Sequence, residues 1–388
     1  MLPAPLTASG ANEDADAAQP MLHADLLPNE TLAAIFSFLA PSEIVTLTCA
    51  SRRFNAVAER ILYASIAISD TLDDAQVLPY RTLRFCDAIL RRGHLHDVVK
   101  HLGVRWHAAE NCDKASVAQP LRDVGCWRLR AALRTLPALE SLELLLGPAN
   151  LGPDANMHAI EITIHECALP HLRYCSFGTE WAKDARPYGP VLDAFLGACA
   201  GALHHLKLYD HRGVVNVPPG IFPQLVSFRG YANAAASLLP SNGVTYLALT
   251  GQDSDVTREN LPRMALGRVP LRYLDLAGMS VRPVLLRSVA ECFPALEGIK
   301  IRLALRHTLH YAMSGIRLLS ALSSVLSSFP SLTYLDLSPT GVDQAAQSSA
   351  EEELCSQWQQ ACPTLRTIVF PSETQWVLGN NGSWGIAQ

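Results

Sequence analysis

The strongest constraint on this 388-residue chain is a phrase that keeps returning: an apolar residue, a proline, one further residue, then Leu-x-x-Leu-x-Leu or a variant. It opens at Leu136 ("LPALESLELLL"), Leu169 ("LPHLRYCSFG"), Phe222 ("FPQLVSFRGY"), Phe293 ("FPALEGIKIRL"), Phe329 ("FPSLTYLDLS") and Cys362 ("CPTLRTIVFP"). "GALHHLKLYD", "NGVTYLALTG" and "VPLRYLDLAG" hold the frame in a looser form, and "DVVKHLGVRW" reads as its first copy. The first apolar residue of each frame serves as an anchor: Val99, Leu139, Leu172, Leu203, Leu225, Val244, Leu271, Leu296, Leu332 and Leu365. Ten anchors spaced between 19 and 40 residues apart describe an irregular solenoid of leucine-rich-repeat type.

In such an array each copy supplies one short parallel strand, and the anchor, +3 and +5 side chains enter a core shared with the neighbouring copies. The proline suits a turn ahead of the strand, because it cannot continue the preceding helix. Stretches with a Leu/Ala stripe between the frames, at 81–93, 188–200, 283–292, 316–328 and 350–361, are expected as helices covering the convex side. The expected fold is therefore α/β, with parallel strands on a concave face and helices on the convex face. Both ends of such a stack need covering. The N-terminal region with "ILYASIAIS" is expected at one end, and "IVFPSETQWVLGNNGSWGIAQ", with Trp376 and Trp384, at the other.

Composition narrows the function classes. Apolar residues make up 49% and charged ones 17%, as in a core-forming chain. The formal net charge of -5 offers no basic surplus for nucleic acid or an anionic membrane. No uninterrupted apolar run is long enough to predict a membrane span. The ten cysteines include no C-x-x-C pair, so they read as reduced thiols of a cytoplasmic or nuclear protein and not as a zinc site or a disulfide framework. Residues 1–22, rich in Ala, Pro, Asp and Glu and without signal-peptide character, read as a disordered tail.

The segment "LPNETLAAIFSFLAPSEI" (27–44) is too apolar for an ordinary surface helix. Asn29 is a candidate N-cap, and Leu32, Ile35, Phe36 and Leu39 fall on one helical stripe that Pro41 ends. Ser42 is a candidate cap for a second helix carrying Ile44 and Leu47, and Ser51 for a third, "RRFNAVAERILYA". Three helices in roughly 40 residues cannot bury so many large side chains among themselves. Each one left in water forgoes about 1.5–3 kcal/mol, so another surface is expected to cover the surplus.

The order Leu27-Pro28, Glu30, Leu32, Ile35, Phe36, Leu39, Pro41, then Ser51-Arg52 and Phe54, resembles an F-box; Glu43-Ile44 stand where that family more often has Asp-Leu. The whole arrangement, an F-box at 23–68 followed by a solenoid at 69–388, is similar to F-box domain-containing proteins of fungi, of the basidiomycete type. The resemblance implies a non-catalytic subunit of an SCF-type ubiquitin ligase. Leu27, Pro28, Leu32, Ile35, Phe36, Leu39, Pro41, Ile44 and Leu47 would then dock a Skp-type adaptor, which leads to the cullin and RING subunits. The solenoid would hold an unidentified target protein.

Strand alternation points +2, +4 and +6 away from the core. The target-binding candidates on that face are Tyr174, Lys207, Tyr209, Arg229, Tyr231, Tyr246, Tyr273, Asp275, Lys300, Arg302, Tyr334 and Asp336. Tyrosine and arginine enrichment is what protein-binding surfaces use. No nucleophile elbow, P-loop or dinucleotide fingerprint appears. His94, His96, His101 and His107 lack metal-ligand spacing, and no cofactor or metal is expected. Two other readings stay open: a non-degradative binding scaffold, and an enzyme whose site would lie in the long inserts at 106–135 or 147–168, marked by a pocket of perturbed ionisable groups.

Overall fold

The computed structural model describes residues 27–110, 112–151, 157–180, 188–304, 315–341 and 348–387. The expected disordered tail at 1–22 lies outside them. The chain divides into two compact units, one ending at Leu62 and one starting at Tyr63.

The first unit is three helices: α1 (Asn29–Phe36), α2 (Pro41–Leu47) and α3 (Arg52–Ala64), the last reaching past the division. Their starts differ in part from expectation. Asn29 is the first helical residue and not the cap; its Oδ1 accepts a hydrogen bond from Arg53 Nε at 2.8 Å. Pro41, not Ser42, begins α2, because a proline has no N–H to leave unpaired at the first helical position. The carboxylate of Glu43 turns back to accept from Ala40 N at 2.7 Å. Ser51 does cap α3, its Oγ accepting from Phe54 N at 3.1 Å.

The second unit is one sheet of thirteen strands standing in sequence order, eleven parallel strands followed by an antiparallel hairpin. The strands are β1 (Ser65–Leu72), β2 (His101–Ala108), β3 (Ser141–Leu145), β4 (Tyr174–Gly178), β5 (His205–Leu208), β6 (Ser227–Tyr231), β7 (Tyr246–Thr250), β8 (Tyr273–Val281), β9 (Gly298–Leu303), β10 (Tyr334–Asp336), β11 (Thr367–Val369), β12 (Gln375–Leu378) and β13 (Trp384–Ile386). The ten frames are β2 to β11. "ILYASIAIS", expected only as an end covering, supplies β1, an eleventh parallel strand paired with β2 along its length.

Register follows the frame. Leu142, Cys175, Leu206, Phe228, Leu247, Leu274, Ile299, Leu335 and Ile368, all at +3, are partners from strand to strand, and all are buried. From β2 to β11 the same bond pattern repeats at every interface: the carbonyl at +1 accepts from the N–H groups at +1 and +2 of the next copy, as Glu140 O does from Arg173 and Tyr174. The proline phrase is itself a turn. In five of the six copies the residue before the proline accepts a bond from the anchor N–H three residues on, as in Phe293–Leu296 (3.2 Å) and Cys362–Leu365 (3.1 Å), with proline at the second turn position.

Helices back the +3/+5 face. α4 (Tyr80–Arg91), α8 (Pro190–Cys199), α11 (Pro283–Cys292) and α13 (Ser348–Ala361) sit close to their expected positions. The expected helix at 316–328 is instead a 3₁₀ stretch, Gly315–Leu322, followed by the short α12 (Ser323–Leu326). The long inserts fold into α5 (Lys114–Pro120), a π-helical turn (Leu121–Cys126), α6 (Trp127–Leu133) and α7 (Ala159–Ile164); α9 (Ala232–Leu238) and α10 (Asn260–Met264) are short. Strand and helix residues share one apolar cluster that includes Phe85, Trp106, Phe177, Phe228, Ile299 and Trp358. Among the described strand residues one core-facing position is charged. Asp70 of β1 is buried and accepts from Arg81 N (2.9 Å), Thr82 N (3.0 Å) and Thr82 Oγ1 (2.7 Å), satisfying the free N–H groups at the start of α4. No helix among the described residues is long and apolar enough to cross a membrane.

Candidate functional site

The N-terminal helices hold a small core of their own: Leu32, Phe36, Ile44, Val57 and Ala58, with Phe54 edge-on to Phe36 at 5.4 Å. Of the nine adaptor candidates, Leu32, Phe36 and Ile44 face this core, and Leu27, Leu39 and Leu47 are half-buried around it. Pro28, Ile35 and Pro41 are exposed. Two exposed side chains were not among the candidates: Phe38, 90% exposed, and Val45, 53%. The signal for Phe38 was present, since it falls off the Leu32/Ile35/Phe36/Leu39 stripe and must point elsewhere. Ile35, Phe38 and Val45 thus place three large apolar groups in water on one helical hairpin.

On the sheet, the face away from the helices carries ordered rows. The +2 row reads Ser141, Tyr174, His205, Ser227, Tyr246, Tyr273, Gly298, Tyr334 and Thr367 in direct register. Tyr246 and Tyr273 stack at 4.9 Å with ring planes 5° apart, and Tyr273 reaches Tyr334 at 6.1 Å across Gly298. A Cβ on Gly298 would lie 2.6 Å from the Tyr273 ring, so only glycine allows that lean. Burial, and then the carboxylate of Asp275, push the Tyr246 hydroxyl up to about 12, and burial likewise raises Tyr273 and Tyr334. All three are neutral donors at neutral pH.

The +4 row reads Glu143, Ser176, Lys207, Arg229, Ala248, Asp275, Lys300 and Asp336. Asp275 and Asp336, expected on the open surface, are buried: each turns back to accept the N–H two residues on, Ala277 N at 2.8 Å and Ser338 N at 2.9 Å. Lys300 pairs with Asp336 at 2.8 Å, and Arg105 with Glu143 at 2.7 Å. Lys207 lies over the Tyr174 ring at 5.1 Å and Arg229 over the Tyr209 ring at 5.3 Å. Arg302 is exposed on the same face of β9. Tyr231 supports Arg212 at 5.4 Å, and both line a cleft of about 460 Å³ with Asn233, Gly251, Gln252 and Asp255.

A group that no spacing rule could have assembled lies just past β3, β4 and β5. Asn150 donates to Thr179 Oγ1 (2.7 Å) and accepts from Ala159 N (2.7 Å); Thr179 and Tyr188 both donate to Asp210 (2.5 and 2.6 Å). His158 stacks on Tyr188 at 4.1 Å, with Nε2 3.6 Å from Asp210, and His211 meets the same ring edge-on at 5.0 Å. Burial lowers His158 to about 4 against the opposing pull of Asp210, lowers His211, and raises Tyr188. Of these groups only His158 belongs to the 147–168 insert; His158, Tyr188, Asp210 and His211 are each less than a tenth exposed, and the bonds they make stay within the fold. The arrangement locks three loops together. The histidines at 94, 96, 101 and 107 stay spread along a 3₁₀ turn and β2, and no group of three or more metal-ligating side chains converges among the described residues. All ten cysteines are unpaired, and seven are buried.

Comparison with known proteins separates the two units. Residues 24–69 match the F-box-like family model. No curated protein matches the chain. Among solved structures, one that is similar is the yeast complex of Rad7 and Elc1, at 12% identity over 91% of this chain and 89% of that one, with a TM-score of 0.34. Another is the complex of TLR13 with ssRNA13, at 14% identity over 71% of this chain and 39% of that one, with a TM-score of 0.28. The chain thus carries an F-box-like domain at residues 24–69, followed by an open, mostly parallel sheet backed by helices in solenoid order.

Proposed function

We propose that the protein is the substrate-recognition subunit of an SCF-type ubiquitin ligase, intracellular and non-catalytic. The observation that carries this reading is the coincidence of an F-box-like match with three water-exposed apolar side chains in the matched segment, Ile35 on α1, Phe38 in the turn after it and Val45 on α2. A monomeric surface has little reason to leave three such side chains bare within a dozen residues, and a Skp-type adaptor is the partner that F-box domains dock. The open face of the sheet, with its tyrosine row and fixed charges, is the surface for a target protein. The subunit then acts by proximity, raising the effective concentration of target lysines at the transfer site held by the cullin and RING subunits.

The test is co-purification of the full chain with a Skp-type adaptor, native against Phe38→Asp/Val45→Asp. Neither side chain belongs to the helical core, so the variant keeps its fold. Loss of burial of about 1.5–3 kcal/mol for each side chain predicts at least tenfold weaker capture. Absence of capture by the native chain would replace the ligase reading with a binding scaffold that works without degradation.

A further inference from the structure

We propose that Lys207 and Arg229, side by side on β5 and β6, form a cradle for carboxylates and that the target presents a short acidic peptide segment to it. This rests on the target-binding role of the open face and names the chemistry it selects.

The two residues are direct register partners, so their backbones are about 4.8 Å apart. Like charges set opposite one another on adjacent strands are unfavourable, and the rest of the row shows how this chain avoids that situation. Glu143 has Arg105, Asp336 has Lys300, and Asp275 has the Tyr246 hydroxyl and its own turn. Among the described residues, Lys207 and Arg229 take part in no ion pair, and Arg229 Nε meets no acceptor. Each instead rests on a tyrosine ring, which fixes its position and removes water from one side without neutralising it. A charge held in place in this way loses little freedom on binding an anion. Ser176 and Ala248 flank the pair in the row, so no long side chain stands between the cations and an arriving segment.

The surroundings limit what fits. Glu143 and Asp275 each stand two strands away from the pair, about 10 Å. A long acidic tract or a nucleic-acid backbone would run into these carboxylates, whereas one or two Asp or Glu side chains in an extended peptide would not. With a net charge of -5 on the whole chain, the attraction is local to this patch.

The test is selection of a random-sequence peptide phage library on the immobilised full chain, followed by fluorescence anisotropy with the best resynthesised peptide. The expected result is enrichment of Asp and Glu, with binding at least tenfold weaker for Lys207→Glu/Arg229→Glu and unchanged for Arg287→Gln, an exposed arginine of α11 on the helical side of the sheet. The neutral variant Lys207→Gln/Arg229→Gln, checked by circular dichroism, serves if the charge reversal fails to fold. Enriched peptides without acidic residues, no enrichment at all, or equal binding by native and double variant would each overturn the proposal. So would a peptide held only when its acidic positions are replaced by phosphoserine. Adaptor capture, measured on the same preparations, separates the two readings. Capture intact with no acidic enrichment defeats this inference alone, whereas acidic enrichment without capture supports it and removes the ligase assignment.

Discussion

At the scale of single residues, His158 shows how a titratable group becomes structural. Stacked on Tyr188 and beside Asp210, it is kept neutral because burial outweighs the carboxylate's pull, and its value falls from 6.5 to about 4. The unfolded chain therefore takes up a proton between those values while the folded chain does not, so stability is complete above about pH 6.5 and drains as pH falls toward 4. The loss amounts to roughly 3 kcal/mol for this residue, and His211, also lowered by burial, acts in the same direction. Urea midpoints at pH 7 and pH 4.5 should differ less for His158→Asn than for the native chain. An equal shift in both would show that the acid sensitivity arises at other groups. The same residue scale explains Asp275 and Asp336: an aspartate just before a turn finds the N–H two residues on within reach, and Asp336 holds Lys300 as well.

At the scale of elements, the repeating unit is a turn plus a strand, and its register is set by the turn. The anchor N–H closes on the residue before the proline, which fixes where +2 begins, and every +2 and +4 side chain then aligns with its neighbours. Gly298 is the exception that lets Tyr273 lean toward Tyr334. Gly298→Val should force that ring out of its stack with Tyr246 and cost about 1–3 kcal/mol. The same substitution in a Tyr273→Ala background should cost much less, because the clash has gone. Thermal unfolding of the four proteins in that cycle checks it, and additive costs would show that the ring is not the obstacle. Helix ends were harder to place than strands, since Asn29 and Ser42 are competent caps passed over for reasons of local geometry that composition does not encode.

At the scale of the whole molecule, a stack of parallel strands stays folded only if its last edge is covered. Here the chain doubles back. β12 and β13 pair antiparallel onto β11, Trp376 Nε1 donates to the buried Glu351 (2.8 Å), and Trp384 Nε1 donates to Gln359 (3.0 Å). Deleting 371–388 would strip β11, uncover the Trp358–Phe370 stack and leave the Glu351 carboxylate without its two donors. The expected outcome is a loss of at least about 3 kcal/mol with a lower Tm and concentration-dependent aggregation in size-exclusion chromatography. A truncated chain that stays monomeric and melts with the native protein would assign the cover to the helices alone.

The repeating frame, the alternation of buried and open positions along each strand, the register of the rows and the three-helix N-terminal segment were legible in the sequence. All of these follow from local patterns, of period two in strands and near 3.6 in helices, that any compact fold of this chain must satisfy. It also singled out Lys207 and Arg229 as outward-facing. What it could not supply were the relations that depend on which copies become neighbours. That Lys207 and Arg229 have no carboxylate partner among the described residues while Lys300 and Arg105 find one each is such a relation. Others are the split of the leucine stripe into inward Leu32 and Phe36 and outward Ile35, and the meeting of Asn150, His158, Thr179 and Asp210 from three separate loops. Contacts between residues far apart in sequence carry no periodic signature. They exist only once the strands are stacked, because burial and neighbouring charge are properties of the assembled core and not of the chain.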